Sequence, residues 1–141
     1  SDLFDCGMGG ITLYGILIRD HKRFGTMTFA DVIAKSSNVG VIKAAFLIGS
    51  DRLYATIHDF GFGRPTGIDL PGESAGILHP LARWGALTKA YVAFGQGISV
   101  TPLQLAAAVG AVAAEGSLLR PYVVAAVGRG KLVERRHPAP T

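Results

Sequence analysis

Six residues, Lys35-Ser36-Ser37-Asn38-Val39-Gly40, limit the folds open to this chain more than any other stretch. Four polar side chains stand together there, between two apolar runs with helical patterning, Thr28 to Ala34 and Val41 to Ile48. A polar knot between two buried helices marks a turn, and such turns present side chains to a cleft. The same residues also read as a plain helix end, because Ser and Asn are favoured cap types and Ser36, Ser37 and Asn38 all qualify.

The helices on either side carry their own start and stop signals. Thr28 is placed to cap the amide of Asp31, with Met27 and Val32 at the two positions of a hydrophobic staple. Asn38 is expected to cap the next helix, in which Val39, Ile42 and Phe46 share one face and Val41, Ala45 and Ile48 another. Lys43 interrupts those faces and reads as a snorkelling surface residue. Gly49 closes that helix, Ser50 caps a third bearing Leu53, Tyr54, Ile57 and Phe60, and Gly61 ends it.

Further along, Pro80 suits a helix first turn, and Leu81, Trp84, Leu87 and Tyr91 repeat at helical spacing, which makes Trp84 a core residue. Phe94-Gly95-Gln96-Gly97 breaks that pattern. Thr101-Pro102-Leu103-Gln104 is the best local signal in the chain: a capping threonine, proline at the first helical position and glutamine to complete the capping box. Val100 and Leu105 are set to staple it. The helix should run to Ala114 with a small, smooth face suited to tight packing.

Strand signals are weaker. Ile11 to Tyr14 and Ile16 to Ile18 allow a hairpin within an otherwise irregular, glycine-rich start, followed by an exposed Asp20-His21-Lys22-Arg23 loop. Ile68-Asp69-Leu70 reads as extended before a Pro71-Gly72-Glu73 turn. Tyr122 to Val127 is β-branched enough for a buried strand. The expectation is five helices with little strand, no internal repeat, and no linker between independent cores.

Composition excludes several classes. Three of the four net positive charges come from the Arg129–Arg136 segment, so the body is nearly neutral and lacks the spread basic face of a nucleic-acid binder. Cys6 is the only cysteine, and the four histidines lie far apart without ligand spacing. The apolar run Leu105 to Ala114 is short of the ~20 residues of a membrane span, and no signal peptide is expected within this segment. With 49% hydrophobic residues and a mean hydropathy of +0.36, the chain is expected to belong to something larger that covers its faces.

Order makes the separate stretches informative. After Lys35-Ser36-Ser37-Asn38-Val39-Gly40 come Phe60-Gly61-Phe62-Gly63, Thr66-Gly67-Ile68-Asp69-Leu70-Pro71-Gly72-Glu73, Phe94-Gly95-Gln96-Gly97 and Val100-Thr101-Pro102-Leu103-Gln104-Leu105-Ala106. This series, with Phe4-Asp5-Cys6 near the start, resembles the transpeptidase domain of class B penicillin-binding proteins, above all the division-septum and sporulation branch. The resemblance implies an α+β parent domain, of which residues 1–141 are the central part, incomplete at both ends. The chain itself is then mostly α, the helical lobe with little of the sheet. Of the three catalytic motifs of such enzymes, only the second is present, as Ser36-Ser37-Asn38. No serine has lysine three residues on, and no lysine precedes Thr/Ser-Gly.

By that resemblance Ser36 and Asn38 are the catalytic residues. The Ser36 hydroxyl relays a proton between the lysine base and the leaving nitrogen, and the Asn38 amide holds the substrate's peptide group and the lysine. Ser37 occupies the variable position. The implied reaction is acyl transfer through a serine ester, without cofactor or metal. D-alanyl-D-alanine stem peptides of peptidoglycan are the donors, β-lactams are mimics, and cell-wall synthesis or divisome proteins are partners. The implied location is the extracytoplasmic (periplasmic) face of the inner membrane, with the anchor outside this chain. Two other readings keep the same motif: a penicillin-recognising hydrolase (β-lactamase or D,D-carboxypeptidase), and a non-catalytic structural or binding segment. Without nucleophile and base, the chain alone is expected to be inactive.

Overall fold

Local signals set the helices where capping chemistry is complete. The computed structural model describes residues 2–129, 132–135, 137 and 139–141. Helix α1 (Phe29–Ala34) starts at Thr28, whose hydroxyl accepts from the Asp31 N–H at 3.2 Å. The reciprocal contact is side chain to side chain: the same hydroxyl donates to the Asp31 carboxylate at 2.9 Å. That hydrogen bond, with the neighbouring Lys35 ammonium 3.2 Å away, holds the Asp31 carboxyl below its ordinary range. Helix α2 spans Asn38–Ile48, α3 Ser50–Asp59, α4 Ala86–Ala93 and α5 Pro102–Ala113.

The expected single helix after Pro80 is instead a 3-10 turn, Leu81–Arg83, followed by α4. Gly85 is the N-cap of α4, so a helical spacing of apolar residues runs across two separate elements. Trp84 lies half-buried between them, its ring edge-on to Tyr54 and its indole N–H donating to the His79 carbonyl.

Among the described residues the strands form three antiparallel pairs. β2 (Gly10–Leu13) and β3 (Ile16–Arg19) make the expected hairpin. Tyr14 and Gly15 both have positive φ, 50° and 80°, the two-residue turn that matches strand twist. β1 (Leu3–Asp5) pairs with β4 (Thr26–Thr28), placing Phe4 opposite Met27. The start of the chain is thus more regular than its glycine content predicts. β5 (Ala126–Arg129) pairs with β6 (Leu132–Arg135). This corrects the expectation of a buried strand over Tyr122 to Val127, since Val127 is 55% exposed. Ile68-Asp69-Leu70 is not a strand.

The chain falls into two compact units, Ser1–Tyr54 with His79–Ile98, and Ala55–Leu78 with Ser99–Thr141. The chain crosses between them three times, which is why no linker composition marks the division. In the first unit α2 serves two clusters. Val39 and Ala44 join Phe4, Cys6, Met27 and Val32, while Ile42 packs with Ile18 and Ala90.

The second unit is organised by Gln104 and Glu73. Gln104 is 1% exposed and completes the capping box with Thr101, accepting from the Thr101 N–H at 2.8 Å. Its Nε2 hydrogens reach out of the helix to the carbonyls of Arg64 and Ala75 at 2.8 and 2.9 Å. All three amide groups are satisfied. Gln104→Leu keeps the volume but strands two carbonyls and an N–H, at a cost of about 2 kcal/mol. A urea midpoint equal to that of the parent protein would contradict this. Leu105 is exposed along with Val109 and Val112, the last at 69%.

Burial pushes the Glu73 carboxyl up, yet hydrogen bonds outweigh it and hold the group below its ordinary 4.5: the Thr66 hydroxyl and the N–H groups of Thr66, Gly67 and Ile68 all donate to it. The hydroxyl and the Thr66 N–H lie 2.6 and 2.7 Å away. A depressed carboxyl contributes stability that is complete above its unfolded value and is lost as pH falls through its folded value. The melting temperature should therefore drop as the pH is taken below about 4.5. Glu73→Gln should flatten that drop, and equal pH profiles for the two proteins would contradict the assignment.

Candidate active site

The junction between α1 and α2 is built from backbone hydrogen bonds. The Ser37 N–H donates to the Val32 carbonyl at 3.0 Å, and the Ser36 N–H to the Ile33 carbonyl at 3.1 Å. These are the two crossed bonds of a Schellman motif, with Ser36 at the left-handed position that glycine usually takes. Its φ is +53°. A side chain there costs about 1–2 kcal/mol. Strain of this kind persists where surrounding structure enforces it, and it clusters at functional sites.

Ser36 is exposed, and its hydroxyl makes no hydrogen bond among the described residues. Ser37 is the opposite: fully buried and the N-cap of α2, its oxygen accepting from the Gly40 N–H at 3.0 Å. The expected cap, Asn38, is the first helical residue instead. The left-handed turn at Ser36 uses one residue, which moves the cap back by one. Asn38 is half-buried and donates one Nδ2 hydrogen to the Arg19 carbonyl at 2.9 Å. Its Oδ1 and second N–H have no further partner among the described residues.

Asp20 closes the back of this turn. Its Oδ2 accepts from the Ser37 hydroxyl at 2.8 Å and its Oδ1 from the Val39 N–H at 3.1 Å. A carboxylate bonded to a first-turn N–H is also favoured by the positive end of α2. Cys6 is buried beside it, with its sulfur 3.4 Å from the Ser37 oxygen. Nothing in the spacing of Asp20 from Ser37 announces this contact, and Asp20, expected in an exposed loop, is half-buried.

Gly40 sets the angle of the junction. A Cβ built there would lie 2.6 Å from both γ-carbons of Val32, so α1 and α2 meet in contact only because this residue has no side chain. Lys43, one turn on, extends its ammonium to the Asp5 carbonyl. Among the described residues no group of His, Cys, Asp or Glu could hold a metal ion, and no helix is long and apolar enough to cross a membrane.

The turn thus leaves the Ser36 hydroxyl and part of the Asn38 amide without partners among the described residues. The penicillin binding protein transpeptidase domain family matches residues 9–140, and the chain belongs to that family. It is 46% identical over 111 residues to stage V sporulation protein D of Bacillus subtilis, covering 77% of this chain and 17% of that protein. To the peptidoglycan D,D-transpeptidase FtsI of Escherichia coli it is 43% identical over 89 residues, 63% of this chain and 15% of that protein.

Among solved structures, the transpeptidase domain of Burkholderia pseudomallei penicillin-binding protein 3 superposes with a TM-score of 0.86 at 30% identity, covering 99% of this chain and 40% of that one. Penicillin-binding protein 3 of Mycobacterium tuberculosis, complexed with aztreonam, gives 0.85 at 34%, covering 94% and 30%. These neighbours are α+β domains. The chain spans 15–18% of the length of the curated relatives it matches.

Proposed function

We propose that this chain supplies the S-x-N segment of a serine D,D-transpeptidase that cross-links peptidoglycan stem peptides, as the central, mainly helical part of its transpeptidase domain. The attacking serine and its lysine base then lie outside the 141 residues, none of which forms an S-x-x-K. The serine oxygen adds to the carbonyl of the penultimate D-alanine, and the bond to the terminal D-alanine breaks. The departing nitrogen must gain a proton. Ser36 Oγ gives its own proton to that nitrogen and takes one from the lysine ammonium, since a hydroxyl donates and accepts at once. In the second half the amine of a neighbouring stem peptide attacks the ester, and the proton returns along the same path.

Asn38 serves the same step by holding the donor's peptide group. The tether of one N–H to the Arg19 carbonyl fixes the amide plane and leaves an acceptor and a donor for substrate. Penicillin-binding protein 3 of Mycobacterium tuberculosis is complexed with aztreonam, which supports the proposal that β-lactams enter this site as mimics of the donor. The chemistry calls for no metal or organic cofactor. The site would work on the extracytoplasmic face of the inner membrane, beside other cell-wall synthesis proteins.

The observation that carries this reading is the left-handed Ser36, strained and exposed, with a hydroxyl that has no hydrogen-bond partner among the described residues. A fluorescent penicillin tests it. The full-length protein carrying this chain should take up one denaturant-resistant label, and the 141-residue chain alone should take up none. A stoichiometric label on the isolated chain would overturn the reading, because it would place the nucleophile within these residues.

A further inference from the structure

We propose that Asp20 is the positioning residue of the S-x-N turn, an inference that rests on the function proposed above. The end of β3 grips the start of α2 at three consecutive residues. Asp20 Oδ2 takes the Ser37 hydroxyl at 2.8 Å, the Arg19 carbonyl takes the Asn38 amide at 2.9 Å, and Asp20 Oδ1 takes the Val39 N–H at 3.1 Å. Ser36, the next residue back, is the first one left ungripped. Its direction is set by its own N–H bond to the Ile33 carbonyl on one side and by where Ser37 is pinned on the other.

The grip is itself anchored. The Asp20 N–H donates to the Gly9 carbonyl at 2.9 Å. Gly9 has φ +79°, and a Cβ there would stand 2.7 Å from the Lys22 carbonyl oxygen. The loop after Asp20 thus lies directly on the turn before β2, and Gly25 closes it with hydrogen bonds to Cys6 and Gly7 at 2.8 and 3.2 Å. This backbone frame aims the carboxylate at α2 without relying on the exposed basic side chains of the loop.

Ser37 has a single hydroxyl proton and two acceptors near it, the Asp20 carboxylate at 2.8 Å and the Cys6 sulfur at 3.4 Å. The shorter, charge-assisted bond wins. Asp20→Asn reverses this. The amide oxygen still accepts from Val39, but an N–H now faces the Ser37 oxygen and turns its proton toward the sulfur. The helix keeps an N-terminal partner, while the pinning of Ser37 changes. Small displacements of a reacting group are costly, up to ~10²-fold for about 1 Å.

The test is acylation of the full-length protein by a fluorescent penicillin, scored as the first-order rate at saturation together with the fraction of protein labelled. Loss of stability alone lowers the labelled fraction and leaves the rate of the labelled molecules unchanged. A positioning role lowers the rate. Asp20→Asn should slow acylation about tenfold, within the range for misplaced groups. Asp20→Asn with Ser37→Ala should be no slower than the slower single variant, because both act through one contact. A wild-type rate for Asp20→Asn, or independent effects of the two changes, would sink the inference.

Ser36→Ala in the same assay separates the two levels. If it acylates at the parent rate, the proposed function fails. If it is slow while Asp20→Asn is not, only the role of Asp20 fails.

Discussion

Gly40→Ala is expected to destabilise the protein by about 3 kcal/mol, the upper end for overpacking a filled core, and to lower its melting temperature by roughly 10 °C. The new methyl would stand 2.6 Å from both γ-carbons of Val32. Val32 is completely buried and β-branched, so it has neither space nor a second comfortable rotamer. The contact is relieved only by moving α1 away from α2, and that opens the turn at Ser36. Val32→Ala removes the obstructing methyls. The double variant should therefore be clearly more stable than the sum of the two single changes predicts. Strict additivity would show that the helices do not meet at this pair.

The parts of the fold that were legible from sequence are those written within one turn. Thr101, Pro102 and Gln104 state the start of α5 in four residues, and the capping box forms as expected. Thr28 and Asp31 do the same for α1. What was not legible depends on residues far apart. The pairing of Leu3–Asp5 with Thr26–Thr28 joins three-residue strands too short to show alternation. Gln104 reads as a cap, but its longer reach to Arg64 and Ala75 has no local signature.

The candidate site shows the same division. The polar knot and its helices were visible, whereas the cap fell one residue early, on Ser37, because a left-handed serine is not announced by residue type. Asp20 was invisible because its partners lie 17 and 19 residues away. Tyr122 to Val127 shows the limit of composition: β-branched residues make burial feasible without causing it.

The second large effect separates chemistry from architecture at a single position. Ser36→Gly removes the side chain that disfavours φ +53°, and should stabilise the protein by about 1 kcal/mol. Ser36→Ala keeps a side chain at that φ and should leave stability near that of the parent. Both remove the hydroxyl, and both should slow acylation by ~10²-fold or more, as expected for a placed acid-base group. If the serine were there only to end a helix, glycine would serve that purpose better and nothing else would change.

The most direct measurement is the acylation rate of the Ser36→Gly full-length protein by a fluorescent penicillin, read beside its melting temperature. A higher melting temperature with acylation at least ~10²-fold slower is the predicted result. A higher melting temperature with acylation at the parent rate would contradict the account, and Ser36 would be a turn residue with no part in the chemistry.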